Sequence, residues 1–369
     1  MASTPASLLS VLESAIAADA AAIATLQESQ LALQKELAAL IPPTPRPLNR
    51  VFSPTSFWYQ PIPVTASIDP NSAAFVQEFQ RQVSTYYGNV NLNTDTYAAP
   101  VYYVKSYLLE PELGSTPASM PIFPAGKPVN VIPFDCQHKG WIDPNLTAQF
   151  LNVPIPAGAI TENGTDKEMC VYDLDTKTLY EFWVMQQNNG QWEACWGGSM
   201  TNTEQNEGIF QNPYGATATG LPLIGGEITA EELETGEINH VIGIALVDAE
   251  VWYKFSWPAN RSDGYNPNNA PNRITEGTRF RLDPTLDVTT LGLTPIGLTI
   301  AKAAQKYGFV VWDKGGAVAM RLSNPAPYTL AGLPNPYTKL FNGIPSYAIL
   351  NNFPWSHLQF MPQNYGKPA

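Results

Sequence analysis

Cys170-Val-Tyr-Asp-Leu-Asp-Thr-Lys-Thr-Leu-Tyr-Glu-Phe-Trp-Val-Met185, and after it Gln191-Trp-Glu-Ala-Cys-Trp196, decide the expected fold. Two β-prone runs flank a polar turn at Asp175–Lys177, the pattern of a hairpin. Gln191–Trp196 reads as a third strand with Trp192 and Trp196 on one face. Working outward, strands are expected at 236–246, at 251–257 and at Phe309-Val-Val-Trp-Asp313, which turns at Lys314-Gly-Gly316. Helices interrupt three times. Residues 69–88 contain a short one, with Phe75, Phe79 and Val83 on one face and Gly88 as its stop. Thr229-Ala-Glu-Glu232 is a capping box closed by Gly236. Thr294-Pro295 opens the third, which buries Ile296, Ile300, Ala304 and Tyr307 and ends at Gly308. Many strands with few short helices predict a mainly β head over 51–369: an antiparallel β-sandwich of jelly-roll or lectin-like type.

Composition agrees with a folded, loop-rich chain. Of 369 residues, 34 are Pro and 41 are aromatic, while only 14% are charged. A net charge of −12 argues against a general nucleic-acid binder, which needs a basic surface to displace counterions. Cys136, Cys170 and Cys195 are too few and too scattered for a disulfide scaffold or a zinc site. Three buried thiols are expected, with one pair plus a free thiol as the alternative. No positive n-region precedes Lys35, so no signal peptide is expected, and no apolar run is read as membrane-spanning.

The N-terminal 1–41 segment carries the clearest period. With Leu9 at heptad position a, the a positions are Leu9, Ile16, Ile23, Gln30 and Leu37. The d positions are Leu12, Asp19, Leu26, Leu33 and Leu40. Eight of these ten are Leu or Ile, which predicts a coiled-coil stalk for self-association. Fibre analogy gives a trimer, whereas Ile at a with Leu at d leans toward a dimer. The alternative is one amphipathic helix packed on its own domain. Pro42-Pro43-Thr44-Pro45-Arg46-Pro47 then stops the helix, so 42–50 reads as a stiff neck.

Chemistry is harder to find. Glu181 and Glu193, on neighbouring expected strands, are candidate carboxylates for glycosidic cleavage. His240, with Asp135 and His138, is a candidate acid/base or metal group, against the plainer reading of a hydrogen-bonded structural histidine. Asp263 and Asp313 have the chemistry for calcium but lack a spaced ligand loop, so no metal and no cofactor is expected. No nucleophile elbow or phosphate-binding glycine loop occurs. Aromatic rings that stack on sugar faces are the better lead. Tyr265, in the polar loop Asn260–Asn269, and Trp141, in a turn-rich segment, are candidate ligand contacts, together with Asp263, Trp192 and Trp196. Trp183 and Trp252 are expected in the core.

A set of ordered strings carries a resemblance. Leu179-Tyr-Glu-Phe-Trp183, Trp196-Gly-Gly198, Gly215-Ala-Thr-Ala-Thr-Gly-Leu-Pro-Leu223 and Gly236-Glu-Ile-Asn-His240 are followed by Trp257-Pro-Ala259 and Ser262-Asp-Gly264. Then come Glu276-Gly-Thr-Arg-Phe-Arg-Leu-Asp-Pro284, Gln305-Lys-Tyr-Gly308 and Val311-Trp-Asp313. Over residues 51–325 the chain resembles actinobacterial secreted proteins and actinobacteriophage virion proteins associated with concanavalin-A-like sandwiches. With the stalk and neck, it looks like a phage minor tail or tail-fibre protein. The resemblance implies a virion location, virion tail or capsid partners, and a host-envelope glycan as ligand. A glycan depolymerase and a ligand-free decoration protein are the alternatives.

Overall fold

The computed structural model describes residues 5–40, 48 and 50–368; within the first helix, side chains are described from residue 9 onward, except 31, 34, 35 and 37–39. The Pro42–Pro47 part of the expected neck and the side chain of Leu37 lie outside the described residues.

Among the described residues, twelve strands form two six-stranded sheets. They are β1 (Asn91–Asn93), β2 (Val101–Lys105), β3 (Ile122–Pro124), β4 (Ile132–Pro133), β5 (Met169–Asp173) and β6 (Thr178–Asn188). The remainder are β7 (Gln191–Met200), β8 (Ile242–Leu246), β9 (Arg279–Leu282), β10 (Phe309–Lys314), β11 (Ala319–Arg321) and β12 (Leu358–Phe360). The first sheet runs β1-β11-β8-β10-β9-β12 and the second β3-β2-β5-β6-β7-β4.

This corrects the expected antiparallel sandwich. Five of the ten strand pairs are parallel: β1 with β11, β8 with β10, β2 with β3 and with β5, and β4 with β7. Eight α-helices accompany the sheets, α1 (Pro5–Leu40) through α2 (Ser72–Thr85), α3 (Leu146–Gln149), α4 (Leu223–Gly226), α5 (Ala230–Thr235), α6 (Pro295–Lys306), α7 (Ala326–Leu330) and α8 (Tyr337–Leu340). The fold is mixed α/β. The physical reason is visible in β2 and β8, whose residues are buried on both faces. Strands covered on both sides read as short apolar runs, not as alternation, and parallel pairing needs that cover.

One large core joins the two sheets. Val101, Tyr103, Cys170, Tyr172 and Leu179 point to it from the second sheet, and Ile242, Ile244, Val310 and Met320 from the first. Tyr102, Val104, Val171 and Phe182 point the other way, onto Leu146 and Phe150 around α3. The period-2 side-chain alternation therefore serves two cores. Trp312 is fully buried beside Gly226 and Gly243. A Cβ at Gly243 would fall 2.3 Å from the indole, and one at Gly226 2.6 Å, so the ring needs glycine at both positions.

The local helix signals hold. Thr229 and Glu232 form the capping box of α5, and Gly236 closes it at φ 77°. Thr294 caps α6 by accepting from the Gly297 N–H, with Pro295 at its first turn. Residues 251–257, expected as a strand, instead form turns, and Trp252 is 62% exposed instead of core.

α1 stands apart from both cores. Leu9, Leu12, Ile16, Ile23, Leu26, Leu33 and Leu40 are each at least 55% exposed. Gln30 is exposed too. The alternative of an amphipathic helix packed on its own domain is thereby corrected. Leu9–Gln30 also has a mean hydropathy of 1.5, long and apolar enough to cross a membrane by length and composition. That corrects the expectation that no run reaches this threshold, and alanine is the reason. Ala raises mean hydropathy without adding much apolar bulk.

Candidate functional site

A cleft of about 500 Å³ opens where the two sheets meet. Its parts come from five separated segments. The first is the loop before α3. The Asp135 carboxylate accepts the N–H groups of Lys139 (3.0 Å) and Gly140 (2.7 Å), which folds the loop onto itself. Those two donors hold the carboxyl below the usual range. Cys136 is bonded to Cys195 of β7, closing a separation of 59 residues. The expectation of three thiols is corrected, and Cys170 remains a buried free thiol. Cap and disulfide together fix the loop that carries Trp141, which is 58% exposed on the cleft rim.

The second segment is 166–168 against β6. Val184 donates its N–H to Asp166 O at 2.6 Å, and Met185 to Lys167 O at 3.0 Å. Val184 sits at φ 48°, a left-handed conformation that a β-branched residue adopts only when the surroundings impose it. This irregularity sets Trp183 into the cleft beside Asp166, to which its indole N–H donates at 3.3 Å. Trp183, expected in the core, is thus half-buried in the cleft wall. Trp196 of β7 lines the same wall and stacks on Tyr214 at 6.0 Å.

The third and fourth segments are 216–218 and 261–263. Arg261 organises both. Its guanidinium donates to five backbone carbonyls, those of Ala218 (3.1 Å), Pro213, Tyr214 (2.5 Å), Gly215 (3.0 Å) and Thr217 (2.6 Å). All five N–H groups of the fork are thereby used. Burial lowers its pKa to about 10.

The fifth segment is the end of β10. The β8–β10 register shifts between Val311 and Asp313, a bulge that re-aims the Asp313 side chain. Asp313 lines the cleft, as does Glu168 from just before β5. Arg321 of β11 bridges them. One terminal nitrogen meets Glu168 Oε2 and the other meets Asp313 Oδ2 at 3.1 Å. The triad ties the first sheet to the second. One cation faces a buried and a partly buried carboxylate, so desolvation wins at both: Glu168 is pushed up to about 8 and Asp313 to about 6. Two further buried glutamates, Glu181 and Glu227, lie close enough to add repulsion.

The residues singled out in the sequence separate into groups. Trp141, Trp196 and Asp263 line the cleft; Asp263 is mostly exposed and 3.8 Å from Lys314. Trp192 is half-buried against the second core and does not line it. Tyr265 is 70% exposed outside it. Glu181 and Glu193 do not share a cleft. Glu181 pairs with Gly198 and Glu193 with Gln186, five positions apart, or roughly 16 Å along a strand. Glu181 is fully buried, accepts the Leu223 N–H at 2.7 Å, and is pushed up to about 8 by burial. Glu193 accepts from Gln186 at 3.2 Å near the hairpin tip.

His240 is buried, with one nitrogen on Val241 O (2.8 Å) and the other 3.2 Å from Glu232. Burial pulls its pKa down, but Glu232 outweighs that and the net direction is up. This is a structural ion pair beneath a helix cap. Among the described residues, no group of three or more His, Cys, Asp or Glu is arranged to hold a metal ion.

Sequence reading missed Glu168, Asp166, Arg261 and Arg321. Arg261 lies in the polar loop Asn260–Asn269 and Glu168 just before the hairpin run, while nothing local marks Asp166 or Arg321. Five of the quoted strings meet here, through Trp183, Trp196, Ala216–Ala218, Ser262–Asp263 and Asp313. No family model matches this chain, and no curated protein and no solved structure is significantly similar to it.

Proposed function

We propose that the chain is a phage minor tail or fibre protein whose head adsorbs to a host-envelope glycan through this cleft. The observation that carries the reading is the pairing of indole rings with polar side chains in one cleft. Trp141, Trp183 and Trp196 supply apolar rings, and Asp166, Asp263 and Lys314 supply hydrogen-bonding groups around them. Sugars present apolar C–H faces and a rim of hydroxyls, and this lining matches both. The virion assignment is supported by the string resemblance.

The stalk supports presentation in several copies. Leu9, Leu12, Ile16, Ile23, Leu26, Leu33 and Leu40 fall on the a and d seam and are exposed in the single chain. A membrane is the competing cover. Asp19 opposes it, since a carboxylate at a bilayer centre costs about 2.5–3.5 kcal/mol, whereas a polar d residue in a coiled coil selects register. Several heads on one stalk multiply weak glycan contacts by effective concentration.

Light scattering on the full chain, with co-sedimentation on actinobacterial cell walls, tests this reading. The wild type is expected to be oligomeric and to sediment with walls. The Ile16→Asp/Ile23→Asp variant is expected to be monomeric and to bind at least tenfold more weakly. A wild type that is monomeric and partitions into lipid vesicles overturns the stalk reading.

A further inference from the structure

We infer that the cleft discriminates by charge: it takes neutral glycans and rejects acidic ones, with Asp166 and Asp263 as the residues that set the preference. The inference rests on the glycan reading above and names the ligand class for it. Its first support is the balance of charge in the lining. Six of the lining residues are Asp or Glu and three are Lys or Arg. The whole chain, at −12, has the same sign.

The second support is that the cations are already committed. Arg261 spends all five N–H groups of its guanidinium on backbone carbonyls. Arg321 stands behind the wall, outside the lining, and holds Glu168 and Asp313 there. Lys314 Nζ lies 3.8 Å from Asp263 Oδ2. Lys139 is exposed, and Asp135 and Asp143 line the cleft on either side of it in the same loop. A phosphate or uronate entering here meets no guanidinium with donors to spare, and a guanidinium fork is the usual means of holding such anions.

The third support is where the two acids stand. Asp166 lies beside Trp183, accepts its indole N–H at 3.3 Å, and forms no ion pair among the described residues. Asp263 reaches the same opening from a separate segment and is exposed. A neutral sugar offers hydroxyl donors to both carboxylates, and a hydrogen bond to an ionised acceptor is among the stronger kinds. A sugar carboxylate or phosphate in the same place offers only acceptors and a like charge. Specificity is a difference of affinities, and repulsion of the wrong ligand contributes to it as much as attraction of the right one.

The experiment titrates the full chain at pH 7.5 with soluble arabinogalactan and with the same polymer oxidised at its primary hydroxyls to carboxylates. Tryptophan fluorescence is followed from about 20 mM to about 500 mM salt, a range over which screening becomes short compared with the cleft. The wild type is expected to bind the neutral polymer throughout, and the oxidised one at least tenfold more weakly at low salt, the gap closing as salt rises. Asp166→Asn/Asp263→Asn removes two charges and frees Lys314. It is expected to bind the neutral polymer more weakly, yet to bring the two polymers within about threefold of each other at low salt.

Equal or tighter binding of the oxidised polymer by the wild type overturns the charge preference and leaves the glycan reading standing. A gap that neither salt nor the double variant narrows reports a lost hydroxyl contact, and overturns it as well. A gap that salt closes and the variant keeps overturns the assignment to these two residues. Binding of neither polymer overturns the glycan reading together with this inference. Should the double variant fail to fold, the wild-type salt series decides, and a gap independent of salt refutes the inference.

Discussion

Replacing Arg321 with Met removes the one cation, among the described residues, that pairs with both Glu168 and Asp313, while keeping the length of an unbranched side chain. At pH 7.5 Glu168, at about 8, is already mostly neutral in the native state. The change therefore falls on Asp313. With Arg321 its pKa is about 6; without it, burial and the neighbouring acids carry it above the pH of the experiment. One pKa unit is about 1.4 kcal/mol, so moving the group by at least 1.5 units costs about 2 kcal/mol at pH 7.5. The two lost hydrogen bonds, counted at roughly 0.5–1 kcal/mol each because the charge term already stands in the Asp313 shift, add about 1–2 kcal/mol. The total is about 3–4 kcal/mol, or a fall of roughly 6–8 °C in Tm at about 2 °C per kcal/mol.

At pH 5 the outcome differs. There both native states hold Asp313 protonated, so its titration no longer separates wild type from variant, and about 1–2 kcal/mol remains. The direction follows from linkage. The variant's native state binds more protons than its unfolded state between pH 5 and 7.5, so its stability falls as pH rises. Thermal melts of both proteins at the two pH values measure this. An equal loss at pH 5 and 7.5 would show that Arg321 acts by packing alone, against Trp312 at 5.6 Å, and would refute the triad argument.

Two further outcomes follow from the interior. Glu168, Glu181 and Glu276 are all pushed up to about 8, so the stability these three contribute is full below the ordinary carboxyl pKa of about 4.3 and is lost as pH rises toward 8. Glu181→Gln removes one of these titrations and is expected to raise Tm at pH 8 while leaving it nearly unchanged at pH 5; a loss at both values would contradict the burial argument. Cys136→Ser/Cys195→Ser reopens a 59-residue loop, worth about 4 kcal/mol in the chain-entropy view. Because that bond holds the Trp141 loop, glycan binding should fall below 25 °C losses explained by unfolding, as checked by binding at 10 °C where the variant is folded; unchanged binding there would free the loop from any role.

Local signals in this sequence translated directly into structure. The Thr229/Glu232 box, the Thr294-Pro295 start and the 170–185 hairpin each depend on residues within a few positions of one another, and each formed. Strand direction did not. β2 is a five-residue run buried on both faces, and nothing in Val-Tyr-Tyr-Val-Lys says that it pairs parallel with both β3 and β5. Pairing is decided by partners 20 to 70 residues away, so the antiparallel sandwich could not be distinguished from a mixed fold by pattern. The segment Val251–Trp257 misled for a related reason: its alternating aromatics have strand propensity, but Trp252 and Tyr253 pack edge to face on each other at the surface.

The site was half legible. Exposed rings in turn-rich stretches pointed to Trp141, and polar turns to Asp263. The acids were sought on adjacent strands because a carboxylate pair is imagined locally; the two that Arg321 joins at the cleft wall are 145 residues apart, one just before β5 and the other at the end of β10. Glu168 shares its burial with Glu181, Glu227 and Glu276 and differs from them in lining the cleft, and both burial and that placement are tertiary properties.

The most direct test of the central claim is a tryptophan-fluorescence titration of the full chain with soluble actinobacterial arabinogalactan. Wild type and Trp252→Ala, whose ring is exposed outside the cleft, are expected to give the same saturable change. Trp141→Ala should lose at least tenfold in affinity, about 1.4 kcal/mol, with an unchanged Tm. Equal affinity in Trp141→Ala and wild type, or loss in Trp252→Ala alone, would place glycan recognition elsewhere on the head and contradict the account.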